Sequence, residues 1–298
     1  MSEPAFAILE SRGVLAVGGE DRVAFLQGLV STDVASVSAT KAIHTAFLTA
    51  QGKYLHDFFI AALGDGFLLD CEAARIEDLK KRLSMYRLRS KVTIELRPDL
   101  AVAAVFGAGW ATALSLASET GAATALDDGV AFVDPRLADA GARAILPAGS
   151  AAATLDAAGL AAGLPSDYDR LRLSLGLPDG SRDLVPEKSI LLENGFDELN
   201  GVDWDKGCFL GQELTARTHY RGLVKKRLMP VEIDGPLPAP GTPVMLGEKE
   251  AGEMRSGADH VGLALLRLEA VERAAAEDLA LTVGEARLAP KKPAWAAF

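Results

Sequence analysis

The hydrophobic pattern passes through three textures along the chain. From residue 5 to 97, strand-length apolar runs alternate with two helical stretches. Residues 5–17 are strand-like and broken at Gly13. Residues 21–34 (DRVAFLQGLVSTDV) put Val23, Leu26 and Val30 on one helical face, with acidic residues at the start, where unpaired N–H groups favour them. Residues 43–48 and 54–63 are apolar and β-prone, and the turn sequence TAQGK joins them as a hairpin. A second turn at Gly64-Asp65-Gly66 leads into a strand at 67–71. Residues 73–88 give a helix with Ile76, Leu79, Leu83 and Tyr86 on one face and a basic end at Arg87, Arg89 and Lys91, followed by a strand at 92–96. Strands joined by tight turns pair antiparallel, so the class is α+β rather than repeated βαβ.

From Asp99 the texture is Ala-rich. Strands are expected at 100–106, 130–133 and 142–146, and helices at 110–118, 151–161 and 167–175. Residues 178–205 are long and irregular, which in a compact protein marks a functional or disordered segment. Phe196, Leu199, Val202 and Trp204 favour a packed one. A helix is expected at 211–218. After Arg227 short strands between turns suggest a small antiparallel barrel or sandwich, with prolines at 236, 238, 240 and 243 marking an edge. The expected domains are 1–97, 98–226 and 227–298.

A chain of 298 residues is long for one core, which agrees with several domains. The net charge of −10 argues against a nucleic-acid backbone as main partner. The two cysteines, Cys71 and Cys208, cannot build a disulfide framework or a four-thiolate metal site, and reducing, cytoplasmic surroundings fit them best. The N-terminus has no basic region followed by an apolar run, so no signal peptide is expected, and no apolar stretch has membrane-span length. Neither common glycine-rich nucleotide loop occurs, and no His/Cys/Asp cluster has metal-ligand spacing.

The densest chemistry lies in residues 206–213, KGCFLGQE. Lys206 supplies a cation that would favour a thiolate at Cys208, and Gly207 and Gly211 allow close backbone approach. A small buried hydrophobe is the alternative for Cys208. Gln212 and Glu213 offer paired hydrogen bonds to a heterocycle, or else cap a helix. His56 and Asp57 are adjacent on a strand and face opposite sides, so only one can enter any site; a strand with one wet face is the other possibility. Arg217, Arg221, Lys225, Lys226 and Arg227 form a basic run, either an anion site or solvated surface. Cys71 reads as structural.

Through KGCFLGQE the chain resembles the YgfZ-type folate-binding proteins, relatives of the glycine-cleavage aminomethyltransferase (T-protein). GEDRVAFLQGLVSTDV (19–34), FLTAQGKYLHDFFI (47–60), YRLRSKVTIE (86–95), DPRL (134–137), DRLRLSLGLP (169–178) and GEMRSG followed by GLALLRLE carry the resemblance over nearly the whole chain. KGC-x-x-GQE is the specific motif, with Phe209 where tyrosine is common. The resemblance implies an aminomethyltransferase-like ring of two α+β lobes and a C-terminal antiparallel β-barrel. It implies tetrahydrofolate or a folate derivative as ligand, with no permanently bound metal. It also implies support of iron–sulfur cluster assembly or repair, with client or assembly proteins as partners and no direct nucleic acid or membrane. Cys208 and Lys206 would be the catalytic pair. Asp57, Tyr86, Arg89, Arg172, Gln212, Glu213 and Arg217 would serve the folate, and Gly207, Phe209 and Gly211 would shape the loop. The enzyme's acidic pair is reduced here to His56-Asp57, and its pterin-holding carboxylate is replaced by Ser174. A folate-dependent one-carbon transferase and a non-catalytic scaffold remain the alternatives.

Overall fold

A computed structural model describes residues 3–222 and 224–298, which gather into two compact units. The first takes the residues up to 49, then 55–168 and 199–210; the second takes 50–54, 169–198 and 211 onward. The segments exchange because two stretches of chain cross between the units, the turn of the first hairpin and the run from 199 to 210.

The first unit holds two sheets. Its elements begin with β1 (Ala5–Ile8), β2 (Arg12–Gly18) and α1 (Arg22–Gln27). The break expected at Gly13 falls earlier, where the Arg12 N–H donates to the Leu9 carbonyl at 2.9 Å. The helix expected to reach Val34 stops at Gln27, because Val30 leaves it to bridge Phe47. Then come β3 (Ile43–Leu48) and β4 (Tyr54–Leu63), the expected hairpin, β5 (Gly66–Glu72), α2 (Ile76–Tyr86) and β6 (Thr93–Leu96). Strand order β3-β4-β5-β2-β6 makes a five-stranded sheet. The chain continues through β7 (Leu100–Phe106), α3 (Trp110–Ala113), β8 (Ala123–Leu126), β9 (Gly129–Val133), β10 (Ala142–Pro147), α4 (Ala151–Ala157) and β11 (Ala161–Ala162). With β1 these strands give a six-stranded sheet ordered β11-β1-β7-β10-β9-β8.

Burying one face of α2 and the inner faces of its sheet forms a core of Leu15, Val17, Leu26, Phe47, Phe58, Leu69, Leu79 and Leu83, all at most 1% exposed. At about 25 cal/mol per Å² of apolar surface, each such side chain contributes roughly 1.5–3 kcal/mol. The wet face considered for β4 does not exist: the strand is buried from Tyr54 through Ala61.

α5 (Pro165–Leu175) leads out of the first unit, and 178–198 is packed rather than loose, with Leu191, Leu192 and Phe196 buried. The second unit continues with α6 (Gln212–Tyr220) and the strands β12 (Lys226–Asp234), β13 (Pro243–Leu246), β14 (Lys249–Ala258), β15 (Val261–Arg267), β16 (Leu281–Val283) and β17 (Ala286–Pro290), with α7 (Leu268–Ala276) inserted before β16. These strands close into a barrel, β12-β15-β14-β13-β16-β17, filled by side chains such as Val231, Val244, Met254, Leu266 and Leu281. Gly52 in the hairpin turn has φ +75, and a side chain there would meet the Gly211 carbonyl at 2.7 Å, so only glycine lets the turn lie against the start of α6.

Candidate functional site

Residues 199–210 return to the first unit and are stitched to the segment that follows α1. Ser31 donates through its hydroxyl to the Gly201 carbonyl at 2.6 Å and accepts at its own carbonyl from the Asp203 N–H at 2.9 Å. The Leu210 N–H donates to the Gly28 carbonyl at 3.0 Å. Gln27 donates to Asp33 at 2.8 Å and to the Lys206 carbonyl at 3.4 Å. A run of turns that would otherwise be mobile is thereby tied at both ends.

Lys206 is the central tie. Its ammonium donates to the carbonyls of Val30 at 2.5 Å and Thr32 at 2.8 Å and lies 5.4 Å from the Phe209 ring centroid. The ammonium satisfies two carbonyls of the segment that follows α1. Burial pulls its pKa down to about 8, while Asp33 and Asp203 oppose that. The catalytic role expected of Lys206 gives way to anchoring, because two of its three donors are committed to carbonyls and the ring faces it as well. Phe209 is buried at 9% exposure, so the loop is pinned on both sides of Gly207 and Cys208. Gly207 has φ +91 with open space around it, so the backbone conformation and not crowding demands glycine. Cys208 is left exposed.

Cys71 is the opposite case. It is 2% exposed on β5, its thiol donates to the Gly13 carbonyl at 3.5 Å, and burial pushes its pKa up to about 12. A thiol so placed is neutral at physiological pH and does not act as nucleophile or ligand.

The other expected site residues divide by surroundings. Tyr86 and Arg89 are exposed at the end of α2, with the Tyr86 ring edge-on to Phe47 at 6.0 Å between centroids. Asp57 and His56 do face opposite sides of β4. Asp57 is buried and pairs with His44 Nε2 at 3.2 Å; His56 is buried against Asp78 at 2.9 Å. Burial, helped by Arg75, lowers the His56 pKa to about 4, so its ring is neutral at physiological pH. In the second unit, Gln212 and Glu213 open α6, and Glu213 pairs with Arg217 at 2.7 Å on the exposed surface. Arg172 departs from its expected folate role. It is 2% exposed, and its guanidinium is taken up by Asp169 at 2.5 Å, Asp183 at 2.8 Å, Ser256 at 2.9 Å and the Leu177 carbonyl at 3.2 Å. It is a structural cation.

A buried ionic network between the two sheets of the first unit was not anticipated. Arg12 on β2 and Arg143 on β10 clasp the two oxygens of Asp70 on β5 at 2.6 and 2.7 Å. Asp134 and Arg136, in the DPRL segment, pair at 2.8 Å, and the Arg143, Arg136 and Arg12 guanidiniums lie 4.0, 5.0 and 5.8 Å from the Phe59 ring centroid. Burial opposes the charge of Asp134, yet the Arg136 guanidinium prevails and lowers its pKa to about 2. The signal for this network was a lone charge in each of several apolar strands. Asn200 and residues 202–205 also wall a cleft of about 420 Å³ faced by Thr32, Lys41 and His44. Among the described residues, no group of three or more His, Cys, Asp or Glu side chains is placed to hold a metal ion, and no helix is long and apolar enough to cross a membrane.

Residues 225–298 match the model of the CAF17 C-terminal β-barrel domain. The mitochondrial iron–sulfur cluster assembly factor IBA57 of Homo sapiens is 37% identical over 284 residues, covering 89% of this chain and 78% of that protein. Its Mus musculus counterpart is 36% identical over 286 residues with the same coverage. The IBA57 homologue of Mycosarcoma maydis, also mitochondrial, is 33% identical over 310 residues, covering 88% and 73%. Among solved structures, glycine cleavage system aminomethyltransferase T from Bartonella henselae superposes with a TM-score of 0.76 at 15% identity, over 98% of this chain and 86% of that one, so the fold is aminomethyltransferase-like. The cytoplasmic location expected from the cysteines is overturned by these relatives, which are mitochondrial proteins. Two unpaired thiols report a reducing environment, and that property does not identify the compartment.

Proposed function

The chain belongs to the IBA57/CAF17 family of iron–sulfur cluster assembly factors, and on that footing we propose that it supports assembly or repair of iron–sulfur clusters through the thiol of Cys208, with a folate derivative as a second ligand. The observation that carries this reading is the contrast between the two thiols: Cys208 is exposed on a pinned loop and Cys71 is sealed in a core. A cluster needs several thiolates or equivalent ligands, and one loop offers one. The cluster is therefore cargo shared with another protein, whose own ligands complete its coordination. The loop's contribution is position. Anchored through Lys206, Phe209 and Leu210, Cys208 is presented without the entropy loss that a floppy segment incurs on binding.

The folate part draws on the aminomethyltransferase-like fold and on residues that fit such a ligand. Tyr86 offers an exposed aromatic face, and Arg89, exposed three residues later, offers a cation for glutamate-tail carboxylates. In the second unit, and as a separate candidate, Arg217 is exposed and, among the described residues, held by a surface ion pair worth about 0.3–0.5 kcal/mol, so a carboxylate competes for it readily. Gln212 and Glu213 flank it on the same helix. When bound, a reduced folate supplies one-carbon carrier chemistry. Asp57 is the residue a one-carbon transferase would use, and its burial against His44 weighs against that alternative.

Cells lacking the protein, complemented with Cys208→Ala, should fail to restore iron–sulfur enzyme activities, while calorimetry on the purified variant finds folate binding unchanged. Should Cys208→Ala restore them fully and Asp57→Asn abolish methylene transfer, the transferase reading replaces this one. Titration to millimolar tetrahydrofolate without heat removes the folate part alone.

A further inference from the structure

The end of α2 carries an apolar knob that the first unit's own packing does not use. α2 is held to its core by Leu79 and Leu83, both fully buried. One turn later Met85 is 59% exposed and Leu88 is 87% exposed. Leu88 also has φ +42, a left-handed conformation that costs a residue with a β-carbon energy, so the backbone is strained where it holds a leucine out in water. Strain combined with exposed apolar surface is a mark of recognition rather than of packing.

The knob is basic in an acidic chain. Arg87 and Arg89 flank Leu88, Lys81 is exposed one turn before Met85, and the whole chain carries −10. Among the described residues, neither the Arg87 nor the Arg89 guanidinium has a hydrogen-bond or ion-pair partner. The Arg87 charge is therefore available to an incoming protein even where Arg89 serves the folate. The knob is also continuous with the Cys208 loop. The Tyr86 ring meets Phe47 edge-on at 6.0 Å between centroids, Phe47 bridges Val30, and the Val30 carbonyl receives the Lys206 ammonium at 2.5 Å. Three successive contacts connect Tyr86, beside the knob, with the residue two places before Cys208.

The geometry points to a docking surface: Met85 and Leu88, ringed by Arg87 and Lys81, seat the partner protein that shares the cluster with Cys208. This rests on the function proposed above. The partner's chemistry follows from the two faces it must meet. It presents an apolar hollow with a carboxylate rim, since the exposed Arg87 and Lys81 attract a carboxylate locally, within a Debye length. It also carries cysteines of its own, because the described chain exposes one thiol to a cluster that needs more. An anionic membrane would also accept a basic apolar knob, but two apolar side chains are a small anchor. Continuity with the Cys208 loop favours a protein.

The test places a photoreactive benzoylphenylalanine at position 88 of the full chain in cells, with Leu164, 63% exposed elsewhere in the first unit, as the control position. Mass spectrometry then identifies the captured chain. The expected result is an acidic, cysteine-bearing cluster protein captured from position 88 and not from 164, with the yield falling about ten-fold on Arg87→Glu, as expected for losing a central interface residue. In parallel, Leu88→Asp should lower iron–sulfur enzyme activities while leaving alkylation of Cys208 unchanged; Leu164→Asp should do neither. Capture of a second copy of this chain, capture insensitive to Arg87→Glu, or co-sedimentation of the wild type but not Leu88→Asp with phosphatidylserine vesicles overturns the inference. Failure of Leu88→Asp alone, with Cys208→Ala still damaging, sinks the docking surface and spares the function. Silence of Cys208→Ala sinks the function itself.

Discussion

Cys71 and Cys208 present one functional group in two settings. Cys71 lies on β5, among Leu15, Phe58 and Leu69, and burial pushes its pKa up to about 12. Cys208 lies on a loop held by two backbone carbonyls, one lysine and one buried ring, with its thiol outside. Reactivity is decided by what surrounds the sulfur, and here the surroundings seal one thiol in packing and leave the other open to solvent. The same division separates the charges of the first unit: Arg12, Asp70 and Arg143 are buried and paired, whereas Arg87 and Arg89 face solvent.

The comparison breaks most visibly at the network behind Cys71. Asp70→Asn would leave Arg12 and Arg143 buried without their carboxylate, and about 3–5 kcal/mol of stability should be lost in urea unfolding. An effect below 1 kcal/mol would mean that water reaches those arginines. Acid sharpens the contrast next. The folded-state pKa of His56 is about 4 against 6.5 in the unfolded chain, so between those values the unfolded chain binds more protons. Stability should therefore fall as pH drops from 6.5 to 4, by up to about 3 kcal/mol for this group, and His56→Gln should flatten that part of the profile. Lys206→Met should cost about 2 kcal/mol by leaving the Val30 and Thr32 carbonyls without their donor, and should raise the alkylation rate of Cys208 as the loop loosens. Cys71→Ala should cost a further step less, about 1–2 kcal/mol, with iron–sulfur enzyme support intact.

Much of the fold was legible in the sequence. The β3–β4 hairpin announced itself through two apolar runs around TAQGK, and the barrel through short strands between turns. Several elements were not legible, among them β8, α7 and the two-residue β11, which lies where a helix was expected to reach 161. β8 is four residues of ATAL with no distinct period, and α7 follows β15 directly, so LRLEAVERAAA ran together with a strand. α1 was overextended because its pattern continues past Gln27, but pairing of Val30 with Phe47 ends it, and local periodicity does not report such pairing.

The site was half legible. Glycines on either side of Cys208–Leu210 foretold a loop, and that loop does expose the thiol. The role of Lys206 was misjudged, because its acceptors at Val30 and Thr32 lie 176 and 174 residues away in sequence. Arg172 was misjudged for the same reason, since Ser256 is 84 residues distant. Long-range polar partners leave no periodic trace, whereas glycine and burial patterns do.

The most direct test is complementation by the paired variants. Cells lacking the protein receive Cys208→Ala or Cys71→Ala, matched for soluble abundance, and the activities of their iron–sulfur enzymes are measured. Loss with Cys208→Ala and near-normal activity with Cys71→Ala is the predicted result. Equal activity from both, or loss only with Cys71→Ala, would contradict the assignment of function to the exposed thiol.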